Sequence, residues 1–443
     1  MKNALRKEYI FFFLLAALAA FYVLGIKSVP FHPDESTQLF MSADFEQFLK
    51  NYKDLAWTPE RSQDLRMRYR LLDAPITRDL LSLGLALGSR QPPRRDWDWS
   101  KSWEENRTAG ALPEDQTLVL ARSILACLFP FTLAFFYFSV KSILGRSGGL
   151  FAVLLLGMNP LFLLHTRRAM AEAALVFGVT FFLWTLTRDK MRPWSVGLAL
   201  ALAINAKQSA LPLLLPGLLA VIFPAIHAPI RPIKKLKQSC RNACQMFAVL
   251  FFLTLALNPV YWKYPMQASQ EAIALRKDLL ERQVSDRTRV APKQVLDGVG
   301  IRSLGLLANL YVTPPAFAEV GNYLEETEAS QSAYLAMPGN SLGRSLVGGG
   351  LLFGLTLLGL IWAIRYFQQI KLARRRKLAL LALATISQAS GLLALPLPWQ
   401  RYVIPLLPFV CAWAAAGLNW GWVLIQIKSL PEIGTSGRRT FDT

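Results

Sequence analysis

The sequence predicts an all-α polytopic membrane protein, and three observations carry that prediction. Apolar runs of bilayer length recur along the 443 residues, 53% of which are hydrophobic. A soluble chain of this length divides instead into two or three domains joined by polar linkers. The runs are also too long and too uniformly apolar for barrel strands, and a bilayer admits only helices and closed barrels. Finally, Lys and Arg cluster beside the runs. The formal charge of +20 therefore reads as a positive-inside bias and excludes a nucleic-acid surface.

About ten spans are predicted, near 9–26, 117–138, 148–165, 169–187, 194–206, 208–227, 244–262, 346–364, 378–396 and 402–424. The first is followed by Lys27-Ser28-Val29-Pro30, which is not a small-x-small cleavage site, so it reads as a retained helix. With Lys2, Arg6 and Lys7 inside, the inner segments are 139–147, 188–193, 228–243, 365–377 and the tail after Lys428, and each carries Lys or Arg. Both termini are then cytoplasmic. Residues 1–428 form one transmembrane domain, and 429–443 read as a disordered cytoplasmic tail.

Two long segments fall outside, 27–116 and 263–345. The first contains Leu80 to Leu87, an apolar run too short to span, which reads as an interfacial or re-entrant helix. The second opens with Gln270 to Gln283, where Ile273, Leu275, Leu279 and Leu280 alternate with Arg276, Lys277 and Glu281, the pattern of a helix lying on the membrane. Farther on, Pro314 and Pro315 are expected to keep 309–315 non-helical. Cys127 and Cys411 lie within apolar runs, and Cys240 and Cys244 on the inner side, so no disulfide framework is expected.

The chemistry-bearing residues gather on the outer side. Phe31-His32-Pro33-Asp34-Glu35-Ser36 places two carboxylates just beyond the first span. They read as an ordinary acidic loop, as a general base for a hydroxyl, or as ligands for a divalent ion. The short outer turns carry His165-Thr166-Arg167-Arg168, Ala206-Lys207-Gln208 and Trp399-Gln400-Arg401-Tyr402. Positive charge there opposes the topology bias, and an anion held at the outer face would account for it. Arg401 and Lys207 either snorkel to the head groups or clamp a phosphate, for which the planar fork of Arg is better suited. Glu172, one turn into the fourth run, either pairs with Arg168 at i, i+4 or lines a wet cavity. The histidines are His32, His165 and His227, without metal-ligand spacing. Metal ligands stay unknown, and a divalent cation is left open as a cofactor.

This pattern resembles the GT-C membrane glycosyltransferases, and within them the protein O-mannosyltransferase and aminoarabinose–lipid A transferase branch. His32-Pro33-Asp34-Glu35 resembles that group's first-loop acidic motif, and Asp73-Ala74-Pro75-Ile76-Thr77-Arg78 its proline motif. Arg168-Ala169-Met170-Ala171-Glu172 is similar to its small-apolar-acid motif, Gly197 to Lys207 to its Gly-rich span closed by Lys, and Arg401 to Pro408 to its late Arg-Tyr-x-x-Pro element. The resemblance spans about residues 1–425. Departures are Ala74-Pro75 in place of Pro-Pro, Glu172 in place of Asp, and Leu72, Asp73 and Ala74 where the aminoarabinose branch has an acid and a lysine.

The resemblance implies a polyprenyl-phosphate-linked sugar donor and a single displacement with inversion onto a hydroxyl of a lipid, polysaccharide or protein acceptor. It places the site at the outer, periplasmic face of a bacterial inner membrane. Asp34 would be the base, with Glu35 or Glu172 positioning the acceptor. Arg401, assisted by Lys207 or Arg168, would hold the leaving phosphate, and His32, Asp73, Arg78, His165 and Tyr402 would position donor or acceptor. The competing readings are a lipid-linked sugar flippase or transporter, a polymerase or ligase of undecaprenyl-linked glycans, and a catalytically silent assembly protein. Against a transporter stand ionisable groups at span ends instead of the midplane and the lack of two similar halves.

Overall fold

The structure, a computed structural model, describes residues 8–226, 232–318, 321–397 and 399–428. The predicted tail 429–443, the basic residues Lys2, Arg6 and Lys7, and His227 lie outside the described residues. All regular structure among the described residues is helical. In chain order the helices are α1 (Tyr9–Leu24), α2 (Pro33–Met41), α3 (Ala43–Asn51), α4 (Leu65–Leu72), α5 (Ile76–Leu87), α6 (Trp103–Thr108) and α7 (Asp115–Ala126). Next come α8 (Leu128–Gly157), α9 (Pro160–Arg167), α10 (Ala171–Thr187), α11 (Pro193–Ala206), α12 (Leu214–Ile226) and α13 (Pro232–Leu257). The last are α14 (Pro265–Val290), α15 (Val299–Leu307), α16 (Leu324–Ala336), α17 (Leu346–Tyr366), α18 (Leu372–Leu393) and α19 (Leu407–Lys428).

Among the described residues, four stretches are long and apolar enough to cross a membrane: Asp115–Gly157, Ile233–Leu257, Leu346–Tyr366 and Gln400–Leu424. Shorter apolar helices include α1, α10 and α11. The 115–157 stretch is a hairpin. Gly145 sits at φ 83°, a backbone region that L side chains avoid. Beyond it the chain runs back along itself, so that a Cβ on Gly149 would lie 2.9 Å from the Tyr137 ring and one on Gly157 3.3 Å from Leu133. In a straight helix residues 133 and 157 would be about 36 Å apart. The two predicted spans 117–138 and 148–165 are thus the two arms of this turn, the second continuing into α9 after Asn159-Pro160. The helix ending in α19 is central, with 83% of its apolar window buried, whereas α13 is peripheral, with 6% buried.

Segments expected to share a side do meet. Lys377 pairs with Asp189 at 2.7 Å, and Glu8 contacts Lys141 and Tyr137. At the opposite end the two long segments interlock. The Trp57 N–H donates to the Val260 carbonyl (3.0 Å), Trp97 to Asn322 (3.3 Å), and Arg276 to the Leu72 carbonyl. The 80–87 run lies within α5, whose Leu81 and Leu85 are buried with Phe31, Leu39, Trp97 and Tyr323, so its apolar face is used within the roof. Helix α14 is longer than the predicted 270–283, and Ala268 is its one buried residue. One expectation is corrected. Residues Ala308–Val312 form a π-helical turn, and the chain leaves helix only at Thr313, just before Pro314. Proline restricts the residue preceding it, and the turn ends before that restriction applies.

Candidate active site

The first turn of α2 organises the site, and each residue of His32-Pro33-Asp34-Glu35 has a backbone reason to be there. His32 is the N-cap, its Nδ1 accepting the Asp34 N–H at 3.0 Å. Pro33 occupies the first helical position, where its missing N–H costs nothing. Glu35 reaches back to accept the His32 N–H at 3.1 Å, closing a capping box. Asp34 is left on the open side of the turn, at a helix N-terminus that favours its negative charge.

There it meets Arg401, 367 residues away in sequence. Arg401 sits in the short 3-10 turn Gln400–Leu406 that leads into α19, with its guanidinium 5.2 Å from the Trp399 ring and 5.9 Å from the Tyr402 ring. A second ion pair lies beside the first. Lys207 Nζ is 2.5 Å from Glu172 Oε1 and 5.7 Å from the Tyr402 ring, so Tyr402 faces both cations. The other carboxylate oxygen of Glu172, Oε2, is buried without a hydrogen-bond partner. His165 is buried within electrostatic reach of Glu172.

Two further acids stand near Asp34. Burial pushes the Asp73 carboxyl up, and the charge of Asp34 adds to this against the pull of Arg276, Arg78 and Lys207. Burial also raises Asp96, which accepts from Tyr69 (2.5 Å) and Thr37 (2.7 Å), and Asp34 again contributes. Among the described residues no group of three or more His, Cys, Asp or Glu side chains is arranged to hold a metal ion.

The predicted site residues therefore divide. Asp34, Arg401, Glu172, Lys207, Tyr402, Asp73 and His165 come together. Glu35 turns away from them: it is fully buried and forms a bidentate pair with Arg122 (2.8 and 2.7 Å) while accepting the Ala169 N–H (2.7 Å). Burial alone would raise its pKa, but Arg122, the charge of Arg168 and the Ala169 N–H hold it below its ordinary value of 4.5. Arg168 donates to the carbonyls of Pro30 (3.2 Å) and Phe317 (3.0 Å). Its neighbour Arg167 covers the end of α1, donating to Phe21 and Tyr22, where a Cβ on Gly25 would collide with it. Arg78 lies beside Asp44, at 3.9 Å. Sequence reasoning missed Arg122 and Asp96. An arginine inside the 117–138 apolar span was a usable signal, because a charge there needs a partner. Asp96, between Arg95 and Trp97, carried none.

No family model matches the chain, and no curated protein matches it by sequence. Solved structures match it in fold. An archaeal oligosaccharyltransferase, AglB from Archaeoglobus fulgidus, in complex with an inhibitory peptide and a dolichol-phosphate, superposes over 98% of this chain and 53% of its own, with a TM-score of 0.51 at 13% identity. The apo form of the oligosaccharyltransferase from the same organism gives 95%, 52%, 0.51 and 12%. The Saccharomyces cerevisiae protein O-mannosyltransferase complex Pmt1–Pmt2, bound to its sugar donor, overlaps 58% of this chain and 34% of its own, with a TM-score of 0.41 and 17% identity. This chain spans about half the length of the oligosaccharyltransferase it superposes on.

Proposed function

We propose that this protein is an inverting glycosyltransferase that moves a sugar from a polyprenyl-phosphate donor to an acceptor hydroxyl at the outer face of the membrane. The observation that carries the reading is the Asp34–Arg401 contact. It sets a candidate base against a candidate phosphate ligand at the helix ends beneath the roof, next to the Lys207–Glu172 pair. The fold, shared with an oligosaccharyltransferase solved in complex with an inhibitory peptide and a dolichol-phosphate, supports it.

In this reading the acceptor oxygen attacks the anomeric carbon, and the carbon–oxygen bond to the donor phosphate breaks with its electron pair going to the phosphate. The acceptor proton passes to an oxygen of Asp34. Arg401 and Lys207 take the charge that develops on the departing phosphate, one as a planar fork and the other as a point charge. Glu172, through Oε2, accepts from another donor group of the acceptor and so orients the attacking hydroxyl. Asp34 and Arg401 neutralise each other until the donor arrives, whose phosphate draws the guanidinium away and leaves the carboxylate basic. Glu35 and Arg168 act as positioning residues, by holding the first turn of α2 in place. The layer built by the two long segments excludes water, which would otherwise compete as nucleophile.

The test uses purified protein in nanodiscs with a radiolabelled polyprenyl-phosphate sugar, comparing wild type, Asp34→Asn and Arg401→Ala. The expected result is sugar release by wild type that collapses in Asp34→Asn while donor binding persists, and weakened donor binding in Arg401→Ala. Turnover unaffected by either substitution would remove Asp34 and Arg401 from the reaction, and movement of intact donor across the bilayer without cleavage would replace the transferase with a flippase.

A further inference from the structure

A cavity of about 170 Å³ lies between the 44–79 stretch and the end of α13, its polar lining Asp44, Arg70, Arg78 and Asp79, with Ala256 and Leu257 of α13 on the other side. A liquid water occupies roughly 30 Å³, so a phosphate group fits. Arg70 grips Asp44 through Nε and Nη2 (2.8 and 2.7 Å), and Arg78 stands 3.9 Å from the same carboxylate. Arg66, outside the lining, is 3.8 Å from Asp44 and adds its charge there.

The donors are also unspent. Arg78 is 4% exposed, and its Nε and Nη1 have no hydrogen-bond partner; Arg70 is 5% exposed, with Nη1 equally unpartnered. Buried guanidinium N–H groups left unmade cost more than most polar groups, so an acceptor belongs there. Burial pushes Asp79 up to about 6, which makes it a poor source of a permanent counter-charge.

The depth of the cavity identifies the anion. Leu257 ends the membrane-crossing stretch Ile233–Leu257, whose Phe247, Phe251 and Phe252 are exposed, so the cavity opens at the level of the lipid head groups. Beside it Phe48, Tyr52 and Trp262 form an exposed aromatic cluster, with centroids 5.8 to 6.5 Å apart. The Trp262 indole N–H is tied to the Leu255 carbonyl at 2.6 Å. Aromatic rings with one polar edge sit at this interface.

We propose that this cavity binds the phosphate of an anionic membrane phospholipid, with its acyl chains along Phe48, Tyr52 and Trp262, at a site other than the Asp34–Arg401 pair. Arg78 and Arg70 each supply Nη1 to the phosphate oxygens, and Asp44 keeps the two guanidiniums in register. Such a lipid ties the joint between α5 and the end of α13, where the two roof segments meet.

Native mass spectrometry of the full chain with phosphatidylglycerol, phosphatidylcholine or inorganic phosphate as probe tests this without reference to transferase activity. Ala256→Phe fills the cavity and leaves every charge in place, and Arg78→Gln removes one of the two unpartnered guanidiniums. Wild type is expected to retain phosphatidylglycerol over phosphatidylcholine. Each substitution should lower that retention about tenfold, with the unfolding temperature in phosphatidylcholine nanodiscs unchanged for Ala256→Phe. Equal retention of the two lipids by wild type would overturn the proposal. So would unaltered phosphatidylglycerol retention in Ala256→Phe, or displacement of the lipid by millimolar inorganic phosphate.

Discussion

Two carboxylate–arginine pairs flank the first turn of α2, one residue apart, and they differ in everything but chemistry. Glu35 and Arg122 have side chains 0% and 3% exposed, joined by two bonds, with backbone groups of His32 and Ala169 filling the remaining lone pairs. Asp34 and Arg401 have side chains 30% and 14% exposed and share one contact through a single nitrogen. A sealed, fully bonded pair fixes geometry and has no capacity to change partners. An open pair can exchange its partner for a substrate group. The difference assigns structure to Glu35 and, in the reading proposed above, chemistry to Asp34, although the sequence presents them as a doublet.

The contrast can be broken most directly at Glu35. Glu35→Gln leaves the Arg122 charge buried and unpaired, and breaking a buried pair from one side costs about 3–5 kcal/mol. Thermal unfolding in nanodiscs should show a large loss of stability, and activity should vanish with the fold. Next in size, Asp34→Asn should keep the unfolding temperature of wild type and lose about 10²–10⁴-fold in turnover, the usual contribution of a positioned base. If the two variants lost stability equally, the separation of roles would fail.

Acid sharpens the comparison further. Glu35 has a depressed pKa in the folded protein. Its contribution is therefore fully present above the ordinary carboxylate value of 4.5 and is lost as the pH falls through the lower, folded value. An unfolding temperature followed from pH 6 downward should fall steeply in wild type, and less so in Glu35→Gln. The smallest expected effect is at the second pair. Lys207→Gln should raise the KM for the lipid-linked donor about tenfold, one charge-assisted contact with phosphate, and lose less stability than Glu35→Gln, because Glu172 is buried but Lys207 is a quarter exposed.

The sequence made the helices and the pairing partners of the site legible in different degrees. Apolar runs and basic turns place every helix of the bundle because hydropathy is local, and the misplaced positive charges at Lys207 and Arg401 point to one end of it. The split between Asp34 and Glu35 was not legible, because it depends on Arg122 and Ala169, which reach Glu35 only once the chain has folded. The same holds for Arg168, whose i, i+4 spacing to Glu172 suggested a pair: the residue lies outside α10, and its guanidinium meets the Pro30 and Phe317 carbonyls while Lys207 takes the glutamate. The inner segment predicted at 139–147 contains the turn at Gly145, although nothing in the sequence specifies a single left-handed glycine there.

The distance in sequence between Asp34 and Arg401 has a consequence for biogenesis. During synthesis Asp34 emerges directly behind α1, whereas Arg401 follows only after α18 has been translated. A ribosome-bound chain that ends at α18 has both members of the Glu35–Arg122 pair, yet lacks the cation that meets Asp34. In the reading proposed above, such a chain cannot discharge the lipid-linked donor into water, so the supply of activated sugar is protected until the segment carrying Arg401 is in place.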